Sequence, residues 1–421
     1  MLGRLHNCLW VACLVLGVSN AYSQTLPNGA YGPYYGPAPM NTNDYVDPNV
    51  VHELLPPDRG LWWDVDYRLN QAIQDTSHGM WFRLEWLSTN IDAPGRTLLG
   101  APLANVPDPR QPFEVVLPSG AVTTAQVLDT SSIDFDNING IRGTWGVPLA
   151  FGTVETMVWG TENSTSRVNT DLLPATDPLQ PTRVIATSLL TNGFPGGTVV
   201  LYDASFKAFY STEIFSAESN VYYNYRNPRL GLRILPVCGF RFVDYDEALV
   251  QRGVYDNNSG LNPGGILIDP LVRQIESDVD NDLYALQTGL RTEFVHQHFT
   301  LGVEPKVALG LNHYEATVST FDLRDSPYDP VVDDGITKNV ESQNILAPYF
   351  DLSLYAKVHL TPSCHLRVGW NYTLFTNMSR ADDNIFYNDT GIANPPALTA
   401  RGEEEALGVS TFSLGGEIIL P

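Results

Sequence analysis

From Phe299 to Leu311 apolar and polar residues alternate in strict register, and this stretch constrains the fold more than any other part of the chain. Phe299, Leu301, Val303, Val307, Leu309 and Leu311 fall on one face. Thr300, Gly302, Glu304, Lys306, Ala308 and Gly310 fall on the other, and Pro305 interrupts the apolar row. A period of two is the pattern of a β-strand. The stretch covers roughly 43 Å at ~3.3 Å per residue, whereas strands of soluble sandwiches average about 5–6 residues. Tilted by ~45°, it rises roughly 30 Å, the thickness of a hydrocarbon core. Its length therefore predicts a strand that crosses a membrane.

The same pattern recurs. Phe350, Leu352, Leu354, Ala356, Val358 and Leu360 alternate with Asp351, Ser353, Tyr355, Lys357 and His359, and Leu366–Leu374, Tyr284–Phe294, Phe82–Trp86 and Phe412–Leu420 behave alike. Strands are expected over 79–88, 140–147, 151–160, 213–225, 230–243, 283–294, 298–312, 346–360, 364–376 and 408–420. They leave short turns at Pro148–Ala150, Arg226–Arg229, Val295–Gln297 and Thr361–Ser363. Long segments remain at 89–139, 161–212, 244–282, 313–345 and 377–407. Short links on one side and long ones on the other are the habit of outer-membrane barrels. The expected fold is all-β: an antiparallel transmembrane β-barrel of about 10–12 strands with short periplasmic turns and long extracellular loops. A pairing of Thr182–Leu190 with Gly197–Asp203 would supply the two extra strands. Phe294, Phe299, Tyr223, Tyr225, Tyr349 and Phe350 sit where interfacial aromatic girdles would lie.

The N-terminus agrees with export. Arg4 precedes an apolar run from Cys8 to Val18, with small residues at Ser19 and Ala21. That is the build of a secretory signal peptide. The expected organisation is a signal peptide at 1–23, a Pro/Gly/Tyr-rich linker at 24–60 and the barrel at 61–421, located in the outer membrane. A formal charge of −23 excludes nucleic acid as a partner, since that needs a basic face, and excludes a lysine-rich lipid patch. Of the cysteines, Cys8 and Cys13 fall in the signal. Cys238 is expected to face lipid midway along its strand, while Cys364 sits at the turn end of a non-neighbouring strand, so this register forbids a disulfide between them.

Several segments resemble the putative beta-barrel porin 7 family of exported barrels. Trp81-Phe-Arg-Leu-Glu-Trp-Leu87 resembles its opening strand, and Gly239-Phe-Arg-Phe-Val-Asp-Tyr-Asp-Glu247 a Gly-Phe-Arg-Tyr strand ending in an acidic residue. Asn281-Asp-Leu-Tyr-Ala-Leu-Gln-Thr-Gly289 is similar to an Asn-x-Phe-Tyr-Gly-x-Gln-x-Gly segment. Leu283 stands in for the aromatic and Ala285 for the glycine. Leu366-Arg-Val-Gly-Trp-Asn-Tyr372 followed by Arg380-Ala-Asp-Asp-Asn-Ile385 resembles a late strand with its Arg-x-x-Asp-x-Ile tail. The resemblance implies an outer-membrane barrel and brings no catalytic residue. One departure is the ending Ile418-Ile-Leu-Pro421, where such barrels usually finish on an aromatic.

If the apolar rows face lipid, the alternate rows face inward. They carry Arg142, Glu155, Glu218, Arg233, Asp351, Lys357 and Glu417 besides the residues expected to form a lumen-lining network: Arg83, Glu85, Arg241, Arg291, Glu293, Glu304, Lys306 and Arg367. In so narrow a barrel such charges can pair across the interior. No catalytic, cofactor or metal site is expected. His296 and His298 form a turn pair without a third ligand, and no HExxH, CxxC or GxSxG motif is present. Asp278-Val-Asp-Asn-Asp282 and Asp333-Asp-Gly335 read as solvated acidic loops. The leading expectation is a porin-like narrow channel, not an enzyme, with outer-membrane lipid and small solutes or ions as partners. Its rival is a non-conducting surface anchor presenting acidic loops. Oligomeric state is not legible.

Overall fold

The computed structural model describes residues 79–116, 122–149, 151–168, 183–224, 231–255, 271–323, 335–389 and 398–420, all within the second of two compact units, Asn70–Pro421. The signal-peptide and linker readings lie outside the described residues. The first strands are β1 (Trp81–Ile91), β2 (Phe113–Val116), β3 (Val122–Gln126), β4 (Ile138–Leu149), β5 (Gly152–Thr161) and β6 (Ser164–Val168). There follow β7 (Arg183–Thr191), β8 (Phe194–Tyr202), β9 (Ser205–Tyr223), β10 (Leu232–Tyr255), β11 (Leu271–Val295) and β12 (Phe299–Phe321). The last are β13 (Ile336–Thr361), β14 (Cys364–Ser379), β15 (Ile385–Phe386), β16 (Asn388–Asp389), β17 (Thr399–Ala400) and β18 (Glu404–Ile419). No helix occurs among the described residues.

The main sheet closes on itself. Its order runs β9-β10-β11-β12-β13-β14-β18-β1-β4-β5 and returns to β9, with antiparallel neighbours throughout. The eleventh strand of that sheet, β6, flanks β9 beyond the point where β5 stops, so the barrel itself has ten strands. All ten sequence-derived strands are found, and the β11–β12 and β13–β14 links at the β1/β18 end are short, while the turn expected at Arg226–Arg229 lies outside the described residues.

Around the barrel the outward row is apolar over one band. Its upper edge runs through Phe242, Tyr284, Leu311 and Leu346, in register across β10 to β13. Leu286 is 72% and Leu309 60% exposed; rings of such side chains are stable only against an apolar medium. One step above that edge the outward row reads Asp244, Asp282, His313 and Asn344. The inward row changes at the same level, from charged to apolar: Val243, Tyr245 and Leu249 on β10, Ile275 and Val279 on β11, Tyr314 and Val318 on β12 are buried. Below the edge the sheet shows its apolar face to lipid; above it the outside is water, and apolar groups turn in.

That exchange corrects two expectations. Segments 244–282 and 313–345 are largely strand, because β10 continues to Tyr255, β11 begins at Leu271, β12 reaches Phe321 and β13 begins at Ile336. The alternation never slips. Its faces trade character, so a pattern followed by outward apolar residues ends at the edge of lipid. Asp278, Asp280 and Asp282 accordingly stand on the outward face of β11 rather than in a loop; Asp333 lies outside the described residues. Tyr349, expected in the girdle, faces inward, and its hydroxyl donates to Gln287 Oε1 at 2.6 Å.

Long links fill the upper barrel. Leu99, Ile133 and Phe135 from the β1–β4 link, Leu189 and Tyr202 from β7 and β8, and Ile385 and Tyr387 beyond β14 join the inward rows in one apolar cluster. A second sheet runs β16-β7-β3-β2, with β8 on β7. The predicted pairing of Thr182–Leu190 with Gly197–Asp203 appears as the β7–β8 hairpin, in this sheet rather than in the barrel. Its turn is Asn192-Gly193, with φ of 49° and 82°; positive φ at both positions marks the type I′ turn that Asn-Gly favours. Cys238, exposed on the outward row, and Cys364 are both free thiols.

Candidate functional site

The inward rows bring Arg83, Glu85, Arg241, Arg291, Glu293, Glu304, Lys306 and Arg367 into one buried layer at the level of the apolar band. Strand register makes the first pairs, since Arg83 stands opposite Glu417, Glu85 opposite Arg142, Arg241 opposite Glu218 and Lys306 opposite Asp351. Opposite charges facing each other across a ladder are neighbours on one face. Arg83 contacts Glu85 and Glu417 at 3.1 Å each. Arg241 reaches Asp351 at 2.6 Å and takes Ser216 Oγ at 3.1 Å. Arg291 is bidentate to Glu155 at 2.6 and 2.8 Å and binds Glu304 at 2.6 Å. Lys306 lies 3.2 Å from Glu218. Arg233, expected with the inward set, sits at the exposed rim and meets Glu293 at 3.6 Å.

Aromatic side chains that sequence reasoning did not assign complete the layer. Tyr222 lies under the Arg291 guanidinium at 3.7 Å and donates to Glu304 Oε1 at 2.8 Å. Tyr355 carries Arg367 over its ring at 4.2 Å and donates to Glu293 Oε1 at 2.6 Å. Its ring lies flat because Gly302 faces it; a Cβ there would stand 2.1 Å from the ring. The inward parity of both tyrosines was the available signal.

A second buried cluster lies above the band, where β14 ends. Arg380 binds Glu247 Oε1 at 2.9 Å, and the Ala381 N–H donates to Glu247 Oε2 at 3.2 Å. The Tyr210 hydroxyl stands 2.6 Å from Glu247 and 3.0 Å from Asp382, and Tyr245 also bonds Glu247. Asn281 exchanges bonds with the Ser379 backbone at 2.9 and 3.0 Å. Three motifs that carried the family resemblance, those containing Glu247, Asn281 and Arg380-Ala-Asp, thus meet here. Their work is to pin the 377–387 segment inside the upper barrel.

Burial, with Asp383 and Glu247 nearby, pushes the Asp382 carboxyl from 3.8 up to about 6. A carboxyl raised in the folded state stabilises the fold fully at low pH, and that contribution disappears as pH rises through about 6. The difference corresponds to roughly 3 kcal/mol at ~1.36 kcal/mol per pKa unit. The protection factors of 377–387, with the intrinsic rise of exchange with pH divided out, are expected to fall between pH 4 and 7, and Asp382→Asn is expected to flatten that dependence. An unchanged pH profile in Asp382→Asn would rule the assignment out.

His296 and His298 are exposed, their rings 5.8 Å apart. Among the described residues no group of His, Cys, Asp and Glu has the geometry to hold a metal ion.

A family model described as Putative beta barrel porin-7 matches residues 81–414. Among solved structures, the outer membrane protease OmpT from Escherichia coli is similar at 13% identity and a TM-score of 0.40, over 82% of this chain and 98% of that one. The Ralstonia pickettii toluene transporter TbuX is similar at 7% identity and a TM-score of 0.18, over 83% and 93%. The translocator domain of the autotransporter NalP from Neisseria meningitidis follows at 8% and 0.17, over 90% and 99%. Likenesses this remote carry no argument about this chain. A search of curated proteins gives no match.

Proposed function

We propose, from the premise that the chain belongs to the Putative beta barrel porin-7 family, that this outer-membrane barrel is closed along its axis and anchors an acidic half at the cell surface. One observation carries the reading. The interior is filled at two successive levels, first by ion pairs and then by an apolar cluster into which the long links pack. Charged side chains could line a water path, but above them packed apolar side chains and the internally paired Arg380–Glu247 cluster fill the interior and leave an ion little to solvate it. The outward surface over that layer carries Glu213, Asp244, Asp246, Asp280 and Glu315. On this reading the protein is not an enzyme, its belt binds outer-membrane lipid, and its acidic exterior is what neighbours meet.

The rival reading is a porin-like narrow channel, and the charged, paired column at belt level favours it. Conduction then requires the 377–387 segment and its apolar companions to withdraw. Refolded full-length protein in a planar bilayer separates the two. We expect stable insertion without discrete conductance steps. Salt-dependent steps that change in Arg241→Glu or Arg291→Glu would replace the anchor by the channel.

A further inference from the structure

In the belt-level layer one carboxylate serves three guanidinium groups. Glu85 lies 3.1 Å from Arg83, 3.6 Å from Arg367 and 3.7 Å from Arg142. Arg83 has a second carboxylate in Glu417; Arg142 and Arg367 have no other among the described residues. Both are buried, at 4% and 6% exposure, and the Nε–H of each has no hydrogen-bond partner. Buried donors of a permanently charged group are costly to leave unpaired.

Both side chains line an interior cavity of about 30 Å³, together with Arg83, Arg291 and Lys306. The carboxylates on its wall, Glu155, Glu218 and Glu304, are already engaged by Arg291 and Lys306. Arg142 and Arg367 are thus left with Glu85 alone as a carboxylate partner among the described residues, and they share it with Arg83. Since a water needs only ~10–15 Å³ of such space, the cavity has room for a monatomic ion.

We propose that this cavity is a halide site, in which Arg142 and Arg367 hold one chloride-sized anion inside the barrel. Guanidinium groups keep their charge throughout the accessible pH range, so occupancy follows halide concentration rather than pH. The site goes beyond the anchor reading and stands whether or not the barrel conducts.

The test uses full-length protein refolded in detergent. Crystals grown in bromide should give an anomalous peak in contact with both guanidinium groups. In solution the thermal midpoint should rise in chloride relative to gluconate at equal ionic strength. Arg142→Met should weaken the apparent halide affinity by roughly tenfold or more, the scale of one charge-assisted bond, and Arg142→Lys should restore part of it. No peak at the cavity, or identical midpoints in chloride and gluconate, overturns the proposal and leaves water as the occupant. If Arg142→Met does not fold, the wild-type map and the anion comparison decide alone.

Discussion

Alanine in place of Glu85 lowers the stability of the barrel by about 3–5 kcal/mol, the usual loss when one partner of a buried ion pair is removed. The position is exceptional because of what the change strands. Arg83 keeps Glu417, whereas Arg142 and Arg367 lose the carboxylate they share. Ser413, which donates to Glu85 Oε1 at 3.1 Å, loses its acceptor as well. Glu85→Gln should forfeit most of the same stability while keeping the volume, which separates charge from packing. Glu417→Ala should cost less, because one of its partners, Lys357, is only partly buried and can rehydrate. Denaturant unfolding in detergent reads all three. A wild-type midpoint for Glu85→Ala would mean that the layer is not energetically coupled.

Arg380→Ala is the second large effect, and it acts on the other layer. It leaves Glu247 buried among Tyr210, Tyr245 and Asp382 with its cation gone, again about 3–5 kcal/mol. Here the loss is expected to be local. The 377–387 segment should come out of the upper barrel and become open to protease, while the belt-level strands stay protected in hydrogen exchange. Uniform loss of protection would show instead that the two layers unfold as one. The same variant in a bilayer bears on the rival functions: the channel reading predicts that freeing this segment raises conductance, and the anchor reading predicts that it does not.

These expectations draw unevenly on what the sequence displays. All ten barrel strands were legible, because lipid demands a long apolar row and Phe299–Leu311 supplies one that only Pro305 interrupts. Their upper continuations were not, since at Asn312 and His313 the inward and outward faces exchange character and a reader following one row loses it. The Asn192-Gly193 hairpin announced itself through turn chemistry, but nothing local says which sheet a hairpin joins. Parity alone placed the shortlisted charges on inward rows. It did not pair Arg291 with Glu155, which lies 136 positions away and on a strand that is no neighbour. Tyr355 stood on the inward row in the sequence but was not joined to the charged network, and Tyr222 was not singled out, because parity places a ring without saying which ion it touches. The Arg380–Glu247 pair spans 133 positions, and no periodicity connects its two ends.

The exchange of faces along β10 to β13 also fixes how deep the molecule sits. Sinking by one residue pair would carry Asp244 and Asp282 into hydrocarbon; rising by one would lift Phe242, Tyr284, Leu311 and Leu346 into water. Either displacement is opposed on several adjoining strands at once. Helical spans relieve a thickness mismatch by leaning. A barrel marked with a waterline on adjoining strands has to hold its draught, and the bilayer around it must adjust its own thickness instead.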